Sequence, residues 1–320
     1  VAGKIAGGLT GWRTIQLPKS VVQGRIVRYT LIHAIPCRGS PAMPNRLLSI
    51  LTAAVLIIAI LLPSPARAQS VNQQLAAGSV LEIIKKRGAI KVGMSTFVPW
   101  AMRDKNGELI GYEIEVAQRL AQDMGVKVEF APTAWDGIIP ALLGSKFDLI
   151  IGGLSITPER NLTVNFTLPY ANSGVHLVAH RKLADGFKSL DDFNQPAVTL
   201  AVRRGATPAT AAKRLMPKAT LRQFDEDALA LQEVLNGKAH AFVTSTPTPA
   251  FEALKHPDTL FLPIAEPFVQ GAEGFALRKG DPDALNFFNN WILLRQQDGW
   301  LKERHDYWFK TRDWAGQVVE

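Results

Sequence analysis

Twice in this chain a short apolar run meets small residues and then a Thr-Pro pair that opens a helical pattern. Leu149-Ile150-Ile151-Gly152-Gly153 leads to Thr157-Pro158, and residues 198–202 lead through Gly205-Ala206 to Thr207-Pro208. Each run sits inside the same larger alternation. In the first half, residues 89–94 read as a strand. Residues 112–124 read as a helix, with Ile114, Ala117, Leu120, Ala121 and Met124 at helical spacing before Gly125. A strand at 126–130, a helix at 135–143 stopped by Gly144 and a strand at 149–151 complete the set. In the second half, strands at 198–202, 220–223 and 239–244 alternate with a helix after Pro208 and one at 228–235 ended by Gly237. A βαβαβ alternation predicts a parallel sheet with right-handed crossovers, and its recurrence predicts two α/β lobes.

The remaining stretches connect these halves. A short helix at 80–86, stopped by Gly88, precedes the first strand, a loop runs from 95 to 100, and Asn106-Gly107 marks a turn. Residues 175–179 are apolar and 182–195 polar and turn-rich, which suits a crossing into the second lobe. Residues 274–278 suit the return, and 281–297 and 301–308 read as closing helices whose tryptophans serve packing.

The first repeat carries the clearest site. Residues 149–151 are apolar without alternation, as in a strand buried on both faces, and Gly152-Gly153 clear side chains from its carboxyl end, where α/β sheets place ligand crevices. Thr157 reads as an N-cap and Pro158 as the first helical residue, leaving free backbone N–H groups toward the crevice. Arg160 then falls in the first turn, where a cation opposes the helix dipole by about 0.3–1 kcal/mol. A bound carboxylate would remove that penalty and take up the guanidinium's paired donors. The same residues would also suit a surface turn in which Glu159 and solvent satisfy Arg160.

The formal charge of +8 is concentrated at the amino-terminal end. Residues 1–68 hold eight Lys or Arg and no acid, and removing those eight from the 36 basic residues leaves 28 against 28 Asp and Glu in the remaining 252. In that remainder the basic runs, Arg203-Arg204 among them, reach no more than the three residues of Lys85-Lys86-Arg87, so no nucleic-acid partner is expected. Met43 opens a segment with Arg46, an apolar run at 47–62 and Ala66-Arg67-Ala68, the pattern of a secretory signal peptide cleaved after Ala68. The sixteen residues of that run fall short of the roughly 20 that span a bilayer. Residues 43–68 are therefore expected to be a signal peptide and 1–42 a non-native upstream extension, with the mature protein in the periplasm. The one cysteine, Cys37, lies in that extension, which leaves the mature chain without a disulfide or a thiol ligand. Its histidines show no metal-ligand spacing except His176 with His180, which on a strand share a face but stand about 13 Å apart. No metal or cofactor is expected.

Four segments carry a family resemblance: Leu109-Ile110-Gly111-Tyr112-Glu113-Ile114-Glu115-Val116-Ala117, Trp135-Asp136-Gly137-Ile138-Ile139-Pro140-Ala141-Leu142, Gly153-Leu154-Ser155-Ile156-Thr157-Pro158-Glu159-Arg160 and Ala276-Leu277-Arg278-Lys279-Gly280-Asp281. Together they resemble the periplasmic solute-binding proteins of amino-acid ABC importers, the bacterial extracellular solute-binding proteins of family 3. The resemblance implies an α/β, two-lobe periplasmic binding protein fold (type II) with two crossing strands as the hinge. Lobe 1 would comprise 79–176 and 275–320, and lobe 2 177–274. It implies a monomer that captures an amino acid or related small carboxylate, hands it to a membrane permease and is not an enzyme.

By the same resemblance the ligand carboxylate falls on Arg160, with Ser155 and the Gly153 backbone at the same end and Thr207 across the cleft. Phe97 and Trp135 match the aromatic pair that sandwiches the ligand, although ordinary core packing would also explain them. Arg203 occupies a position that faces either the cleft or solvent. Two departures stand out. The family acid that holds a ligand's α-ammonium falls on Ser245, and an acid often found after the first-strand loop falls on Ala101. Either Glu273 on the return segment supplies the charge, or the ligand lacks a free α-amino group. The alternative is an enzyme similar to periplasmic cyclohexadienyl (arogenate/prephenate) dehydratases. Those need an acid on the segment after the second-lobe strand, where this chain reads Ser245-Thr246-Pro247-Thr248-Pro249.

Overall fold

The structure, a computed structural model, describes residues 78–318. The expected extension and signal peptide therefore lie outside the described residues. Ser79 caps α1 (Val80–Arg87) by accepting from the Leu81 N–H, while the Asp281 carboxylate accepts from the Val80 N–H at 2.6 Å. After β1 (Ala89–Met94) comes a hairpin of β2 (Met102–Arg103) and β3 (Leu109–Ile110) around the Asn106-Gly107 turn. Gly111 then turns the chain into α2 (Tyr112–Asp123). Its φ is +128°, and a Cβ there would stand 2.4 Å from the Trp100 carbonyl oxygen, so only glycine fits.

β4 (Lys127–Pro132) leads to a 3-10 turn, Trp135–Gly137, that runs into α3 (Ile138–Leu143). One continuous helix over 135–143 was expected from the apolar spacing. Pro140 has no N–H to donate back to the Asp136 carbonyl, so the α ladder cannot extend through the first turn. β5 (Leu149–Ile150) and α4 (Pro158–Asn161) follow. The crossing strand β6 (Asn165–His180) is 16 residues long, three times the run visible in the sequence.

The second half supplies α5 (Leu190–Phe193), β7 (Thr199–Arg203), α6 (Thr207–Leu215), β8 (Thr220–Phe224), α7 (Asp227–Leu235) and β9 (Ala241–Ser245). It continues with α8 (Thr248–Lys255) and β10 (Leu260–Phe261), neither anticipated from the sequence. α8 buries little along its length, and Leu254 is exposed, so it shows no clean apolar face. β11 (Val269–Leu277), α9 (Pro282–Gln297) and α10 (Trp300–Lys310) complete the described elements.

One sheet runs through both lobes in the order β4-β1-β5-β11-β6-β9-β7-β8, with β10 on β6. Pairing is parallel for β1 with β4 and β5, and for β7 with β8 and β9, as the alternation predicts. It is antiparallel wherever the crossing strands β6 and β11 take part. Those two strands carry the chain out of the first lobe and back, and a strand that returns must run against the one that left.

Burial explains the unalternated runs. Leu149 and Ile151 pack into one core layer and Ile150 into another, and all three are fully buried, each worth about 1.5–3 kcal/mol of apolar transfer. In the second lobe Leu200 and Val202 face one layer and Ala201 the other. Along β6, Tyr170 and Ala171 belong to the first-lobe core, and Val175, Leu177 and Ala179 to that of the second. The passage between lobes thus falls at 172–174, opposite Gln270, Gly271 and Ala272 of β11. Among the described residues no helix is long and apolar enough to cross a membrane, and no group of three or more His, Cys, Asp or Glu could hold a metal ion.

Candidate functional site

The cleft between the lobes is built on the carboxyl ends of β1, β5 and β7. Past β5, Gly153 takes φ +62°, and a Cβ on it would lie 2.6 Å from the Phe97 ring and 3.2 Å from Trp100. The glycine is required both for its backbone conformation and for the aromatic packed against it. Ser155 next pairs with the backbone of Glu273 on β11. Thr157 is the N-cap of α4, its hydroxyl accepting from the Arg160 N–H at 3.3 Å.

Arg160 turns away from solvent. Its Nη1 donates to the Ser155 carbonyl at 2.9 Å and to the Thr207 hydroxyl at 3.4 Å, and its Nη2 to the Gly205 carbonyl at 3.3 Å. Every one of these acceptors is neutral, and two belong to the opposite lobe. Burial pulls the guanidinium's pKa below its ordinary value, opposed by Glu159 and Glu273. Glu159 itself is fully exposed and takes no hydrogen bond from Arg160, though its charge acts on the guanidinium.

Thr207 was expected to cap its helix, but Ala206 is the N-cap and no side chain caps α6. The Thr207 hydroxyl is thereby left to meet Arg160 across the cleft. Phe97 and Trp135 stand 6.3 Å apart at 69°, and Trp135 is buried. Ser245, at the end of β9, lines the cleft with Gly153, Ser155 and Thr207. Of the two orientations open to Arg203 from the sequence, the structure shows the cleft-facing one: it is 5% exposed, and its Nη2 donates to the Ser95 hydroxyl of the first lobe at 2.5 Å.

Glu273, like Arg160, is not among the residues that line the closed cleft. It lies behind Ser155, 1% exposed, with its carboxylate accepting from the Ser173 hydroxyl at 2.6 Å and its Oε2 without a hydrogen-bond partner. Burial raises its pKa to about 7, against the opposing effect of Ser173. The acid that does line the cleft is Asp227, the first residue of α7, which the sequence reading missed. It stands 3.5 Å from Arg203 Nη1 and accepts from the Thr244 hydroxyl at 3.4 Å; burial raises its pKa and Arg203 lowers it. A helix-opening acid just past a strand's carboxyl end was the available signal, the same placement that singled out Arg160.

The lobes meet tightly. Besides the Arg160 and Arg203 contacts, the Thr248 hydroxyl donates to the Val98 carbonyl at 2.8 Å. The cleft retains about 20 Å³, room for little more than one water molecule. A larger cavity of about 370 Å³ shares Phe97 and Asp227 with it and is bounded by Arg103, Glu226 and Glu252.

Comparison with known proteins agrees with this architecture. The chain is 42% identical to the crystal structure of the ancestral amino acid-binding protein AncCDT-1, a precursor of cyclohexadienyl dehydratase, over 72% of this chain and 100% of that one, with a TM-score of 0.67. It is 40% identical, over 72% and 99% of the two chains and again at a TM-score of 0.67, to a putative binding component of an ABC transporter from Wolinella succinogenes complexed with lysine. A cyclohexadienyl dehydratase of Pseudomonas aeruginosa is 26% identical over 238 residues, 74% of this chain and 88% of its own. The model of the bacterial extracellular solute-binding proteins, family 3, matches residues 90–311, and the chain belongs to that family.

Proposed function

We propose that this protein captures an amino acid or related small carboxylate between its two lobes and delivers it to the membrane permease of an ABC importer. In this reading lobe 1 spans 79–176 and 275–320 and lobe 2 spans 177–274. The chain is exported by its 43–68 segment, so N-terminal sequencing of secreted material should begin at Gln69. Arg160 takes the ligand carboxylate, and Ser155, the Gly153 backbone, Thr207 and Ser245 complete the polar lining.

The observation that carries the reading is the Arg160 guanidinium, turned into the lobe junction with only neutral acceptors drawn from both lobes. A carboxylate there would gain paired, charge-assisted bonds and would tie the lobes together through one group. The test is a thermal-shift screen of amino acids, keto acids and other small carboxylates. A ligand at a hundred times its dissociation constant stabilises by about 2.7 kcal/mol, and the shift should vanish in Arg160→Ala. If no carboxylate shifts the parent protein, the reading fails.

Asp227 supports a second reading. A half-buried acid with a raised pKa in the cleft is the kind of group that could protonate a leaving hydroxyl, and one relative is a cyclohexadienyl dehydratase. Against it, Arg203 at 3.5 Å favours the ionised carboxylate, which has no proton to give. Incubation with prephenate and arogenate, followed by absorbance of the aromatic product, separates the two readings: binding without turnover supports capture, and turnover abolished by Asp227→Asn supports the enzyme.

A further inference from the structure

The aromatic pair of the cleft already holds a cation. The Arg203 Cζ lies 5.0 Å from the Trp135 ring centroid and 5.9 Å from that of Phe97, within range for a guanidinium over both rings. Asp227 stands 3.5 Å from Nη1, the Asp225 carbonyl accepts from Nε at 3.4 Å, and the Ser95 hydroxyl accepts from Nη2 at 2.5 Å. Two aromatic faces and a half-buried acid form a cation box, and the chain fills that box with its own side chain. The two hydrogen bonds use the Nε–H and one Nη2 N–H, while Asp227 pairs with Nη1 as an ion pair. The remaining Nη N–H groups can serve an acceptor on a ligand.

We propose that Arg203 is the specificity-determining residue of the cleft: by occupying the Phe97–Trp135–Asp227 box it excludes ligands with a cationic side chain and selects those of net charge −1. This rests on the reading of Arg160 as the carboxylate anchor. Arg160 donates only to neutral acceptors, whereas Arg203 is faced by Asp227, with Glu226 and Asp136 also acting on it, so a closed, poorly hydrated site favours an occupant that brings negative charge to Arg160. A lysine or arginine side chain directed at the aromatic pair would meet a resident guanidinium. Two like charges at contact distance repel by more than the 1.4 kcal/mol that makes a tenfold change in affinity. Ser245, standing where the resemblance implies an acid, offers no negative charge to offset that repulsion.

The experiment is calorimetry with L-glutamate, L-glutamine, L-lysine and L-arginine on the parent and on Arg203→Ala, at a pH below the Glu273 value of about 7 so that Glu273 is mainly neutral. The parent should bind glutamate at least tenfold more tightly than arginine or lysine. Arg203→Ala should gain at least tenfold for arginine and lose affinity for glutamate. In a second arm, guanidinium chloride far below denaturing concentrations should raise the melting temperature of Arg203→Ala and leave that of the parent unchanged, because the small cation refills the box. Parent protein that binds arginine or lysine as tightly as glutamate overturns the proposal, with no need for the variant to fold. So does a folded Arg203→Ala that gains neither arginine affinity nor stabilisation by guanidinium. Should none of the four amino acids bind the parent, the carboxylate reading loses its support, and the guanidinium arm still decides whether the box holds a cation.

Discussion

Replacing Arg160 by alanine separates a binding residue from a structural one. Without ligand the side chain makes one short bond, to the Ser155 carbonyl at 2.9 Å, and two long ones across the cleft at 3.3 and 3.4 Å. A hydrogen bond from a charged donor is worth about 1.5–3 kcal/mol when its geometry is good, and the two cross-lobe bonds fall below that. The loss in fold stability should therefore be modest, roughly that of the single short bond. With a carboxylate bound, the variant also loses one partner of a buried charge pair, which costs about 2–5 kcal/mol. That range corresponds to a factor of roughly thirty to several thousand in dissociation constant. Isothermal titration of the ligand found by thermal shift should show that fall, with the melting temperature of the free protein reduced far less. Arg160→Lys should not restore affinity, because an ammonium cannot reproduce the planar fork. Glu159→Gln is the control, a neighbouring charge that is fully exposed and should leave binding unchanged. Arg160→Ala that binds within about twofold of the parent would refute the assignment.

Gly153→Ala should lower both stability and affinity. A Cβ forced into φ +62° and 2.6 Å from the Phe97 ring displaces the aromatic, and a non-glycine residue there costs roughly 1–2 kcal/mol before the clash is counted; an unchanged melting temperature would show that the Phe97 loop yields freely. Stability should fall with rising pH. Burial raises the Glu113 pKa to about 8 from its ordinary 4.5, opposed by its hydrogen bond from Tyr170, so the folded state holds a proton that the unfolded state has released. That contribution is fully present below about 4.5 and is lost as pH rises through about 8. Melting temperatures across that window should decline, and Glu113→Gln should flatten the decline; a parallel profile in the variant would assign the slope to other groups. X-ray scattering should show a smaller radius of gyration with ligand than without, since the cleft as closed keeps only about 20 Å³ and a ligand can enter only when the lobes part. A ligand-free particle already as compact as the saturated one would count against a moving hinge.

Much of the first lobe was legible because its cues are local. Gly88 and Gly125 stop helices, Thr157-Pro158 starts one, and the run at 149–151 declares a strand buried on both faces, each within a few residues of the element it governs. The sequence alone therefore determined the alternating strands and helices of the two βαβαβ units, the α/β class and the candidacy of Arg160, Phe97 and Trp135. Tertiary structure decided what those residues meet. Arg203 reaches Ser95 across 108 positions of chain, and Glu273, on the return strand, ends behind Ser155 and outside the cleft. Asp227 enters the site because α7 begins where β8 ends, and the aromatic pair holds the chain's own guanidinium. Periodicity reports which face of an element is buried, because burial repeats with the pitch of helix or strand. It carries no record of which side chain arrives from the other lobe, since that depends on how β6 and β11 hold the two cores against each other.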